Sequence, residues 1–178
     1  MNRKHKRQNT QGAEAGFTLL ELIIVLTLAS ILGTFVFSII SKSLAAQINM
    51  QTKKEMSDAA VLSLARISRE LREAKTIHTT GTGELIFEKK ITSSKDTNLF
   101  IRYVRNTGNK TLRRQSATTL GSLPSDDYTG KKIALNVTAF NSYQYTQYDS
   151  TVKMIQFDLT FEDGSVWQTV VFPMNYGL

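Results

Sequence analysis

A chain of 178 residues has room for one globular domain of modest size and one further element. With no Cys and 2 His, disulfides, thiol nucleophiles and histidine-built metal or catalytic centres lack material, so neither an enzyme nor a cofactor is expected. The net charge of +7 would point to nucleic acid only if concentrated, and Lys53-Lys54, Lys89-Lys90, Arg113-Arg114 and Lys131-Lys132 are interspersed pairs that read as a solvated face.

Residues 1–16 form a short basic leader, with Arg3, Lys4, Lys6 and Arg7 against Glu14. Residues 17–40 follow as FTLLELIIVLTLASILGTFVFSII, in which Glu21 is the sole charge. As a helix this run spans about 36 Å, enough for a bilayer core of about 30 Å. The basic flank keeps the N-terminus cytoplasmic and sends the rest out. A secretory signal peptide would have a shorter apolar run, although Ser43-Leu44-Ala45-Ala46 could serve as its cleavage site. A plain single-pass anchor fits the length but leaves Glu21 unexplained. A carboxylate in a membrane span costs about 2.5–3.5 kcal/mol on insertion scales, so it marks function. The next basic residue after the leader is Lys42, too far along the helix to serve it. A free amino terminus is the attractive partner.

Gly16-Phe17-Thr18-Leu19-Leu20-Glu21 resembles the cleavage and methylation motif of type IV prepilins and type II secretion pseudopilins. The resemblance implies that a prepilin peptidase removes residues 1–16 by cutting between Gly16 and Phe17, then methylates the Phe17 amine. It implies that Glu21 offsets the terminal amine of a neighbouring subunit during assembly. Partners would be the peptidase, the inner membrane and other pilin or pseudopilin subunits met through the N-terminal helix. The protein would sit in the bacterial inner membrane, then in a periplasmic or cell-surface filament.

Residues 41–78 lack Gly and Pro, and an apolar stripe runs through Leu44, Ile48, Met56, Ala60, Leu64, Ile67, Leu71 and Ala74. They read as the amphipathic half of one long helix, ended by the cluster Thr79-Thr80-Gly81-Thr82-Gly83. Gly33 is a candidate for a local bend.

Residues 79–178 read as an exported, β-rich domain. Strands are expected over 84–88, 98–105, 111–115 and 132–140, with Thr107–Lys110 as a turn. Ile155, Phe157, Leu159 and Phe161 alternate with polar residues, and Asp163-Gly164 predicts a two-residue hairpin turn. That turn would place Phe161 opposite Val166, Phe157 opposite Val170 and Ile155 opposite Phe172, with Trp167 and Val171 on the other face. Residues 122–130 read as a loop whose Asp126 and Asp127 supply too few oxygens for calcium. Asn136-Val137-Thr138 is a chance sequon in a strand, and Tyr143, Tyr145 and Tyr148 read as sheet surface or rim.

The expected fold is therefore α+β: a long N-terminal helix packed on an antiparallel sheet domain. The segment Leu64–Ala74, the pair Phe100–Tyr103 and Leu112-Arg113-Arg114, and Lys132–Val137 before the terminal hairpin resemble J-type minor pseudopilins and W-type minor pilins. That resemblance implies a subunit near the filament tip. The alternative is a filament-borne module that captures DNA or a surface.

Overall fold

The computed structural model describes residues 16–90, 97–146 and 153–174, so the leader residues 1–15 and Tyr148 lie outside the described residues. Among these residues one α-helix, α1 (Leu19–Arg72), is followed by eight strands: β1 (Ala74–Thr80), β2 (Glu84–Lys89), β3 (Phe100–Asn106), β4 (Thr111–Ala117), β5 (Lys131–Ala134), β6 (Val137–Thr146), β7 (Lys153–Phe161) and β8 (Val166–Val171), with a short 3-10 turn at Leu120–Ser122 between β4 and β5. The architecture is the expected α+β, a long N-terminal helix with antiparallel sheets. The chain divides into two units, residues 1–48 and 49–178.

In the first unit every described side chain of α1 is exposed, including Leu44 and Ile48. Its most apolar window has a mean hydropathy of 2.6, long and apolar enough to cross a membrane. Thr27, Ser30 and Thr34 turn their hydroxyls back onto the carbonyls of Ile24, Leu26 and Ile31, at 2.7–2.8 Å. These polar groups are thereby satisfied inside the helix, as an apolar surrounding demands. The helix continues through Gly33.

The second unit begins within α1. The apolar stripe is buried from Met56 onward through Ala60, Leu64, Ile67 and Leu71. The helix stops at Arg72, six positions short of the expected 78, and Ala74–Thr80 is a strand. Glu73 N–H reaches back three residues to Glu70 O at 3.2 Å, and Lys90 N–H then takes Glu73 O at 3.0 Å. The β-branched Thr76, Ile77, Thr79 and Thr80 favour the extended form that follows. Ala74 is buried as the stripe requires, but at the head of β1.

Strands β1 to β5 form one antiparallel sheet in sequence order, and β6 to β8 form a second. The β1–β2 turn stitches them together: Gly83 N–H donates to Phe140 O at 2.6 Å and Ser142 N–H to Gly81 O at 3.0 Å. The expected strand over 132–140 is two strands, because Asn136 takes φ 58° and breaks the run between β5 and β6. α1, Leu85, Phe87, Ile101, Tyr103 and Leu112 enclose a core with Val137, Phe140, Ile155, Phe157, Leu159 and Phe161.

The loop over 122–130 lies against the far face of the first sheet. Arg102 Nη1 donates to the carbonyls of Pro124 and Asp126, at 2.5 and 3.0 Å, and Gln115 Nε2 to Asp126 O at 2.7 Å. Asn106 Nδ2 adds Asp127 O at 3.2 Å. Gly130, at φ 91°, closes the loop so tightly that an added Cβ would lie 2.5 Å from Arg114 O.

The terminal hairpin differs from expectation by one residue. Phe161 N–H donates to Ser165 O at 2.9 Å and Gly164 N–H to Phe161 O at 3.0 Å, with Gly164 at φ 81°. The loop is thus Glu162-Asp163-Gly164, a turn followed by a bulge. Leu159 pairs with Trp167 and Ile155 with Val171. Trp167 and Val171 therefore face the core, while Val166, Val170 and Phe172 are exposed. A slip of one residue exchanges the two faces of a strand.

Candidate processing and assembly site

Thr18 starts the helix. Its Oγ1 accepts from Glu21 N–H at 3.3 Å, and its carbonyl accepts from Leu22 N–H at 3.2 Å. Thr18 is therefore the N-cap and Glu21 the third helical residue, the spacing of a capping box. Gly16 and Phe17 precede the cap in non-helical, exposed backbone. A peptide bond there can enter a protease cleft without unwinding helix.

Among the described residues nothing asks for glycine at position 16. A Cβ built there meets no atom within 4 Å, and its φ is not in the left-handed range.

Glu21 lies in the first turn of α1, where a carboxylate suits the positive end of the helix dipole. Its side chain is exposed on a helix whose exposed neighbours are Leu19, Leu20, Leu22 and Ile24. Among the described residues no ion pair involves it. The carboxylate thus faces outward from the helix.

The family model for the prokaryotic N-terminal methylation motif matches residues 12–37. The chain carries a prokaryotic N-terminal methylation motif. Gly16, Phe17, Thr18 and Glu21 all fall inside it, as does the apolar first half of the span. The match supports a place among type IV pilins and pseudopilins, with processing by a prepilin peptidase and assembly with pilin subunits. With the apolar helix, the motif is consistent with a membrane-anchored pilin. Comparison with curated proteins and with solved structures found no match.

Two features escaped the sequence reading. The capping role of Thr18 was legible as Thr18-x-x-Glu21 at the head of an apolar run. The second is a buried polar cluster: Arg114 Nε donates to both oxygens of Glu70 at 3.0 and 2.9 Å, Tyr103 Oη donates to one at 2.9 Å, and Arg66 Nε lies 3.3 Å from the other. A carboxylate three residues beyond Ile67, on the apolar stripe, was the available signal. Asp126 serves its own loop, accepting from the amides of Tyr128 and Thr129 at 2.8 and 2.7 Å. The bond from Thr129, chiefly, holds its carboxyl below the usual range. Asn136 belongs to a turn, and Tyr143 and Tyr145 are exposed on the second sheet.

Proposed function

We propose that this chain is a minor pilin or pseudopilin, cut by a prepilin peptidase between Gly16 and Phe17 and built into a type IV pilus or type II secretion pseudopilus. Hydrolysis leaves a carboxylate on Gly16 and an amine on Phe17, and methylation keeps that amine cationic. The cut falls ahead of Thr18, so the mature chain retains its helix cap. The observation that carries the reading is Glu21: an exposed carboxylate in the first turn of an apolar helix, inside the matched motif.

The assembly step follows from electrostatics. The amine of an incoming subunit is a poorly solvated cation beside lipid, and Glu21 is a poorly solvated anion. Pairing them removes two penalties together. The minor, tip-proximal role rests on the J-type and W-type resemblance of Leu64–Ala74, of Phe100–Tyr103 with Leu112–Arg114, and of Lys132–Val137. The N-terminus faces the cytoplasm in this reading, and residues 79–178 are exported.

Glu21→Gln tests the assembly role apart from cleavage. The variant is expected to be processed to the mature mass yet to fall out of the sheared filament fraction by about tenfold, the equivalent of about 1.4 kcal/mol. Incorporation at the wild-type level would sink the role assigned to Glu21.

A further inference from the structure

Among the described residues β8 is an edge strand, the last in the order β6-β7-β8. Phe161 and Ser165 form the hydrogen-bonded pair that closes the hairpin, so in an alternating ladder Trp167, Thr169 and Val171 bond to β7. Val166, Gln168 and Val170 then turn their N–H and C=O groups away from β7, and all three residues are exposed. Native edge strands are commonly blunted by lysine, proline, a bulge or a covering element. Val166–Val171 reads VWQTVV, without charge or proline, and pairs with β7 without a register shift.

A groove of about 480 Å³ runs beside this edge. Val61, Leu64 and Ala65 of α1 and Gln168 and Thr169 of β8 line it, with Arg69 and Arg72 next along the helix. Both arginines are exposed, and among the described residues neither joins an ion pair.

We propose that the free edge of β8 and its groove bind an extended segment of another exported protein, which adds as a fourth strand beside β8. The segment is uncharged and β-branched where it lies along β8, and it carries a carboxylate that reaches Arg69 and Arg72. Main-chain bonds to Val166, Gln168 and Val170 supply affinity, and pockets for alternate side chains supply selectivity. The two arginines add charge-assisted bonds that fix direction and register. A nucleic acid fits poorly: its phosphates offer only acceptors, which leaves three edge carbonyls unpaired, and two cations are few for a polyanion. The choice of an exported partner rests on the export proposed above, but the test needs no peptidase, so its failure is distinguishable from a failure of processing.

The test uses the full chain in detergent micelles and a fluorescent peptide of alternating Thr and Val that ends in Asp-Asp. Saturable binding by fluorescence anisotropy is expected. The same peptide ending in Lys-Lys, or N-methylated at alternate amides, should bind at least about tenfold more weakly. Gln168→Pro removes a donor from the free side only, which an edge strand tolerates, and should weaken binding to a similar degree. The N-methylated peptide gives the same information with the protein unaltered, should that variant fail to fold. Absence of binding, equal binding of the Asp-ended and Lys-ended peptides, or indifference to N-methylation would overturn the proposal. So would concentration-dependent dimerisation, suppressed by Gln168→Pro, in a chain that ignores the peptide, since a second copy would then occupy the edge.

Discussion

The phenol of Tyr103 donates to Glu70 Oε2 at 2.9 Å, tying the middle of β3 to the last turns of α1. Arg114 Nε, on the neighbouring strand, donates to the same carboxylate, and Tyr103 is fully buried. One carboxylate thus takes bonds from the helix, from β3 and from β4. Removing it takes the acceptor from a buried phenol and one charged acceptor from each of two guanidinium groups. Glu70→Ala should cost about 3–5 kcal/mol, while Tyr103→Phe, which deletes a single donor, should cost about 1–2 kcal/mol. Denaturant unfolding of the detergent-solubilised chain measures both, and equal costs would show that the carboxylate is no hub.

Alkali should probe the same contact. Burial first, then the charge of Glu70 and the hydrogen bond to it, push the Tyr103 phenol far above its usual range. A raised folded value means that the unfolded chain loses this proton first. The contribution is whole below the unfolded value of about 10 and declines as pH rises above it. Wild-type stability should therefore fall above about pH 10 more steeply than that of Tyr103→Phe. Parallel pH profiles for the two proteins would contradict this.

Glycine is needed at two loop positions for different reasons. Gly130 combines φ 91° with no room for a Cβ, whereas Gly164 has φ 81° and open space. Gly164→Ala should cost about 1 kcal/mol from backbone strain alone. Gly130→Ala adds a collision with the Arg114 carbonyl and should cost at least about 3 kcal/mol. Thermal unfolding that ranks them the other way would refute the reading of the 122–130 loop.

The register of the terminal hairpin can be read from charge tolerance. Val166 is 63% exposed, while Trp167 packs on the core. Val166→Lys should change stability by less than about 0.5 kcal/mol and Trp167→Lys should cost about 3 kcal/mol or more. A two-residue turn at Asp163-Gly164 would reverse that order.

What the sequence disclosed depended on the range of the interaction. The apolar span, the Gly16–Glu21 signature and the alternation of Ile155–Phe161 are local patterns, and each was legible. The hairpin register was not, because Asp-Gly serves both a two-residue turn and a bulged loop. The choice fell to Ser165, whose amide and hydroxyl both donate to Asp163 Oδ1, at 2.9 and 2.6 Å. The end of α1 was overrun because Ala74 fits the helical stripe as well as it fits a strand paired with Lys89. The role of Glu70 was not legible, because its partners Tyr103 and Arg114 lie 33 and 44 positions away. At the candidate site the motif that holds Gly16, Phe17 and Glu21 was readable, since it is a short continuous run. The cap by Thr18 was equally local and was overlooked. The β8 edge required the strand order.

The most direct measurement is the intact mass of the chain after co-expression with a prepilin peptidase. The account predicts loss of residues 1–16 and gain of one methyl group on the Phe17 amine. A chain that keeps its full length in the presence of an active peptidase would contradict it.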